Sequence, residues 1–129
     1  MEKKELILCD SNIIIDIING DKVTQQRLVK FEPTQVFISV ITEMEVLVGA
    51  VNKVMLNQFK KNLKRYNIIQ LDIESSLKAS ILIKDYHLSH GMDIPDSLIA
   101  ATALTHGLSL FTKNIKDFKF IPNLKLIQK

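Results

Sequence analysis

The chain has 129 residues, room for one compact domain and too short for two of ordinary size. With 47% hydrophobic and 24% charged residues its composition is globular, which excludes a disordered chain; with 6% aromatics and no Trp, aliphatic side chains must fill the core. The 17 basic and 14 acidic residues leave a net charge of +3, an excess that permits a polyanionic partner without demanding one.

A lone cysteine, Cys9, rules out an intrachain disulfide and is expected to pack as a small core hydrophobe within Leu6-Ile7-Leu8-Cys9. The charged opening Met1 to Glu5 leads into that short run without the layout of a signal peptide. No stretch approaches the ~20 apolar residues that span a bilayer. A cytoplasmic protein with no membrane segment is the expectation, organised as one domain over residues 1–129.

In chain order, Leu6 to Cys9 followed by Asp10-Ser11-Asn12 predicts a buried strand ending in a loop. Asn12 to Asn19 and Lys22 to Phe31 predict short helices, and Val36 to Ile38 a second strand. Ser39 to Ala50 carries apolar residues at helical spacing. Lys53 to Tyr66 predicts a basic amphipathic helix with Val54, Leu56, Phe59 and Leu63 on its apolar face. Its basic residues Lys53, Lys60, Lys61, Lys64 and Arg65 read as a solvated face in preference to an RNA contact, and Phe59 and Tyr66 as core. Ile68 to Leu71 predicts a third strand and Glu74 to His90 a helix. Ile94 to His106 predicts another, with Pro95 in its first turn and Asp93 as N-cap. Leu108 to Phe111 gives a fourth strand and Leu124 to Ile127 a fifth. Gly20, Gly49, Gly91 and Gly107 each stand where a helical pattern stops, where a left-handed cap is expected. Short apolar strands alternating with helices predict an α/β fold with a parallel sheet covered on both faces, which binds ligands beyond the carboxyl ends of its strands.

Chemistry is therefore sought just after strands, where carboxylates stand. Asp10 follows the first strand and serves equally well as a helix N-cap. Glu45 shares a helix face with Thr42, Ile41, Val48 and Gly49, and a carboxylate on so apolar a face is costly unless paired. Asp96 opens a helix whose Ala100, Ala101 and Ala103 imply close packing, where an acid suits the helix dipole or a metal. Asp117 follows the fourth strand in a segment that also reads as a turn. Grouped carboxylates repel one another unless a hard cation neutralises them, and oxygen ligation without a Cys/His cluster points to Mg²⁺ or Mn²⁺ and away from zinc. His87, His90 and His106 lie on helices or at their ends and suit a structural role there.

Four segments together, Leu8-Cys9-Asp10-Ser11-Asn12, Ile41-Thr42-Glu43-Met44-Glu45, Asp96-Ser97-Leu98-Ile99-Ala100-Ala101 and Thr112-Lys113-Asn114-Ile115-Lys116-Asp117-Phe118, resemble the PIN domain in its VapC toxin form. The resemblance covers essentially the whole chain. It implies a doubly wound, mostly parallel five-stranded sheet of order 3-2-1-4-5. It implies cleavage of single-stranded RNA by a water that Mg²⁺ or Mn²⁺ activates. Asp10, Glu45 and Asp96 match the three core acids, with Asp10 and Asp96 as direct metal ligands. The last position falls on Asn114 or Asp117, and the VapC form points to Asp117. Ser11, Asn12, Thr112 and Asn114 would support the pocket, Ser11 keeping the hydroxyl of the commoner Thr. A Trp common near the last strand is missing. The resemblance also implies a homodimer and a small DNA-binding antitoxin. Two alternatives remain: a PIN-like module that binds without catalysis, and a phosphoacceptor receiver with Asp72 after the third strand, which would leave Glu45 and Asp96 unexplained.

Overall fold

The computed structural model describes residues 4–127. Strands β1 (Ile7–Cys9), β2 (Val36–Ser39), β3 (Asn67–Ile69) and β4 (Ser109–Phe111) form one parallel sheet in the order β3-β2-β1-β4. Helices α1 (Ser11–Ile18), α2 (Lys22–Leu28), α3 (Val40–Val48), α4 (Lys53–Leu63), α5 (Ile73–His90) and α6 (Ile94–His106) connect them.

The alternation of side chains along each strand sorts the core into two halves. Leu8, Phe37 and Leu110 point to one face, where α5, α6, Phe118 and Ile121 cover them. Ile7, Cys9, Val36, Ile38 and Phe111 point to the other, beneath Ile13 and Ile14 of α1, Val46 of α3, and Leu63 and Tyr66. Both faces are covered, as a parallel sheet requires. Phe59 packs against the second half, so the aromatics of α4 are core as expected. Cys9 is fully buried, and burial followed by the charge of Asp10 pushes its thiol up to about 12, which leaves it inert.

The fifth strand is reduced. Leu126 makes a single parallel bridge with Leu110, held by bonds from Leu110 N to the Lys125 carbonyl and from Ile127 N to the Leu110 carbonyl. The segment lies beyond β4, which preserves the order 3-2-1-4-5, but among the described residues it is too short to count as a strand. β3 is an edge strand whose Asn67 and Ile68 are exposed, and it ends two residues before the apolar run does.

Side-chain caps fix the helix starts: Asp10, Asp21, Ser39, Asn52, Asp72 and Asp93 each accept a bond from a first-turn N–H of the helix that follows. Gly91 and Gly107 end α5 and α6 with φ of 67° and 68°. Gly49 departs from expectation: it caps α3 in the ordinary right-handed conformation, because Gly49 N and Ala50 N bond the Val46 and Leu47 carbonyls in a tightened last turn. His106 at the end of α6 bonds Asp72 at the start of α5 at 2.9 Å, so the two helices run antiparallel. Asp72 is thereby accounted for as a cap and as the hydrogen-bond partner of His106.

Candidate active site

Asp10 sits directly beyond β1, its own N–H bonded to the carbonyl of Phe111, the last residue of β4. Its side chain is 4% exposed. Oδ1 accepts from Ser11 N at 2.8 Å; Oδ2 accepts from the Thr112 hydroxyl at 2.8 Å and from Asn12 Nδ2 at 3.4 Å. Capping and a functional role are thus not alternatives, since the same carboxylate caps α1 and faces the loop after β4.

That loop is fastened to α1 by a small network. Asn12 Nδ2 also donates to Thr112 Oγ1 at 3.3 Å, while Asn12 Oδ1 accepts from Lys113 N at 3.1 Å. Thr112 Oγ1 accepts in turn from Asn114 N at 3.1 Å. The Lys113 ammonium pairs with Asp16 of α1 at 2.9 Å. Ser11, Asn12, Thr112 and Asn114, the four supporting positions of the sequence reading, are therefore all tied to Asp10 directly or through one hydroxyl. The backbone of Asn114 makes the contact, and Asp117 lies one short helical turn later, half-buried.

The remaining acids join Asp10 electrostatically. Burial pushes Asp96 up to about 7, reinforced in order by the charges of Asp93, Asp10, Asp117 and Glu45. Burial and then Asp10 raise Glu45, opposed by Ser11, with Asp93 adding to the rise. Asp10 is itself raised by burial, while Thr112 and Ser11 pull it down and Asp93 pushes it up. Four carboxylates thus act on Asp96, at the start of a helix whose fully buried Ile99, Ala100 and Ala101 seat it firmly. Among the described residues no three Asp, Glu, His or Cys side chains are drawn together closely enough to enclose an ion.

One of these acids was missed in the sequence. Asp93 reads there only as the cap of α6, which it is, accepting from Asp96 N at 2.9 Å. Its charge nevertheless reaches Asp10, Glu45 and Asp96. The signal lay in the spacing: a cap and a first-turn acid three residues apart share one end of a helix. The histidines are structural. His87 Nδ1 bonds the Met92 carbonyl, and His90 stacks on Phe120 with ring centroids 4.0 Å apart.

The donor set fits a hard divalent cation. Glu45 Oε1 is buried with no hydrogen-bond partner among the described residues, an arrangement that costs free energy unless a positive group meets it. The facing groups are all oxygen donors, as Mg²⁺ and Mn²⁺ prefer.

The parallel sheet with buried Asp10 directly beyond β1 frames the site, and the family model for the PIN domain matches residues 7–122. Ribonuclease VapC1 of Rickettsia felis is 32% identical over 129 aligned residues, covering 94% of each chain. The structure of a toxin–antitoxin complex from Klebsiella pneumoniae superposes with a TM-score of 0.80 at 34% identity, covering 95% of this chain and 96% of that one. VapBC2 from Rickettsia felis bound to a DNA fragment from its promoter superposes at 0.79 with 26% identity, covering 95% and 97%. The chain belongs to the PIN-domain family, among the VapC-type ribonucleases.

Proposed function

We propose that the protein is a Mg²⁺- or Mn²⁺-dependent endoribonuclease, the toxin of a toxin–antitoxin pair, acting in the cytoplasm. The observation that carries the reading is the set of carboxylates converging electrically on Asp96, with Glu45 Oε1 buried and unpaired beside them. Surplus negative charge of this kind is unfavourable for the fold by itself and useful to a cation site.

In this reading Asp10 and Asp96 would hold the ion, with Glu45 and Asp117 as the supporting acids. When bound, the ion polarises the phosphoryl oxygen and lowers the pKa of water. The chain's own residues do the rest. Thr112, Asn12 and Ser11 N fix the carboxylate plane of Asp10. The closely packed Ala100 and Ala101 hold α6, and with it Asp96, against the sheet. Glu45 or Asp117 takes the proton of the attacking water.

The Klebsiella neighbour is a toxin–antitoxin complex and the Rickettsia one binds promoter DNA, so we assign this chain a small DNA-binding antitoxin as partner. Ile73, Leu77, Ile81 and Leu88 form an exposed apolar stripe along α5, which supports a homodimer. Among the described residues no helix is long and apolar enough to cross a membrane.

The test is cleavage of a single-stranded RNA with Mn²⁺ and with chelator, for wild type and Asp10→Asn. Cleavage by wild type with Mn²⁺ alone, abolished in the variant, is expected. Cleavage that survives chelation, or a variant as active as wild type, overturns the assignment.

A further inference from the structure

We propose that the ring of His90, stacked on Phe120 at the end of α5, is a platform for one unpaired base of the RNA beside the proposed catalytic acids. The inference rests on the ribonuclease reading for its substrate and on a cluster of three rings for the platform itself.

The rings meet where α5 ends and the segment after Asp117 passes it. His90 stacks on Phe120 with centroids 4.0 Å apart and planes inclined by 14°. Tyr86, one turn earlier on α5, stands 5.1 Å from Phe120 and 5.8 Å from His90, at 70° to the imidazole. A ring on the far face of His90 would be farther from Phe120 than from His90. Tyr86 is nearer to Phe120, so both neighbours lie on the same side of the imidazole. The opposite face carries no aromatic neighbour among the described residues, and His90 is exposed. Ser89 Oγ shares a hydrogen bond with His90 Nδ1 at 2.7 Å. The ring is thus held by a face, an edge and one nitrogen, whichever nitrogen carries the proton. A base that stacks on it orders little that is not ordered already. His90 takes no part in bond breaking; its fixed place against Phe120 is what makes it a surface.

The cluster adjoins the acids through the chain. His90 stands three residues before Asp93 and Phe120 three residues after Asp117, and both acids act by charge on Asp96. Three residues of chain reach at most about 10 Å, a span that a few nucleotides of one strand cover. Stacking also answers a difficulty that the acids create, since carboxylates repel the phosphates of the strand they must hold. A base face is uncharged and every base has one, so stacking holds the strand near the acids without a phosphate contact there. Lys116 and Lys119 are exposed on the segment that carries Phe120 and form no ion pair among the described residues, whereas Lys113 is engaged with Asp16. They supply positive charge for the flanking phosphates. Inside a duplex both faces of a base are already covered, so the platform takes a single strand.

The test uses the full chain, His90→Ala, and cleavage of a single-stranded RNA with Mn²⁺. His90 is exposed, so the substitution leaves the fold in place, which a melting curve verifies. KM should rise about fivefold or more with kcat unchanged, as expected for loss of one stacking ring. His90→Tyr keeps a ring and should hold KM within about twofold of wild type. The same RNA with one base at a time replaced by an abasic sugar locates the contact. At one position near the cut wild type should lose the same factor, and there His90→Ala should lose nothing further. A purely structural His90 predicts instead a lower Tm and losses that no abasic position matches. An unchanged KM in His90→Ala, a tyrosine variant as impaired as the alanine one, or additive losses at every position overturns the proposal. If wild type cuts no RNA, the ribonuclease reading falls, and fluorescence anisotropy of a labelled single-stranded RNA in chelator decides the platform alone. Binding about fivefold weaker in His90→Ala then supports it, and equal binding overturns it.

Discussion

Replacing Asp96 with Asn should stabilise the metal-free protein, by an amount that depends on pH. In the fold the Asp96 carboxyl titrates at about 7, against an ordinary value of 3.8. Because this folded value is raised, the favourable contribution is complete below the unfolded value and is lost as pH climbs through about 7. At 1.36 kcal/mol per unit, a rise of about three units sets a gross cost near 4 kcal/mol at alkaline pH. Asp96 is only half-buried, so solvent screening reduces this to about 1–2 kcal/mol. For a chain of this size that is a rise of roughly 3–8 °C in Tm. Melting curves in chelator at pH 3 and pH 8 measure it: the variant should gain little at pH 3, below both values, and the full amount at pH 8, with roughly a third of it already present by pH 5. Mn²⁺ should reverse the order, stabilising wild type more than the variant. A gain that is the same at both pH values, or none at pH 8, refutes the account of Asp96 as a strained carboxylate among like charges.

Asp10→Asn should behave differently in stability, with a Tm within about 2 °C of wild type: the relief of charge is offset where an amide meets Asn12 Nδ2, donor against donor. Thr112→Val deletes the hydroxyl that bonds Asp10 and receives Asn12 and Asn114, and should cost about 1–3 kcal/mol in urea unfolding. It should also shift the acid limb of the cleavage profile upward, because Thr112 is the main group holding Asp10 down. Gly107→Ala should cost about 1 kcal/mol from its φ of 68° alone, since nothing stands within 4 Å of the new methyl. Gly49→Ala, at ordinary φ but 3.3 Å from the Val46 carbonyl, should change stability by under about 0.5 kcal/mol, as thermal melts of the two variants would show.

The elements built from local patterns were legible in advance. Ile7 to Cys9 is buried throughout, as its apolar run implies, while Leu6 at the head of that run stays exposed, and Asp93, Pro95 and Gly107 bracket α6 as cap, first-turn proline and stop. What failed depended on partners. Leu124 to Ile127 has the composition of a strand, but strand length is set by pairing, and only Leu126 finds a partner in Leu110. Gly49 follows a helical pattern as Gly107 does, yet a tightened last turn leaves no need for a left-handed residue. The supporting residues around Asp10 were named from a motif; that Asn12 and Thr112 share one carboxylate oxygen is a fact of tertiary distance. Asp93 was visible as a cap and invisible as a charge, because its influence on Glu45 and Asp10 exists only once three elements meet.

The bond between Thr112 and Asp10 joins residues 102 positions apart, and β1 reaches its neighbour β4 over a similar span. During synthesis at about 5–20 residues per second, Asp10 emerges several seconds before the residues that orient it. A truncated or nascent chain carrying Asp10 and Glu45 has the acids without the network that fixes them. Fastening of the centre is therefore a late event in the life of each molecule, separated from translation of its first strand by the 102 positions between Asp10 and Thr112. For an enzyme read as cutting RNA, that order of events postpones competence until most of the domain has been made.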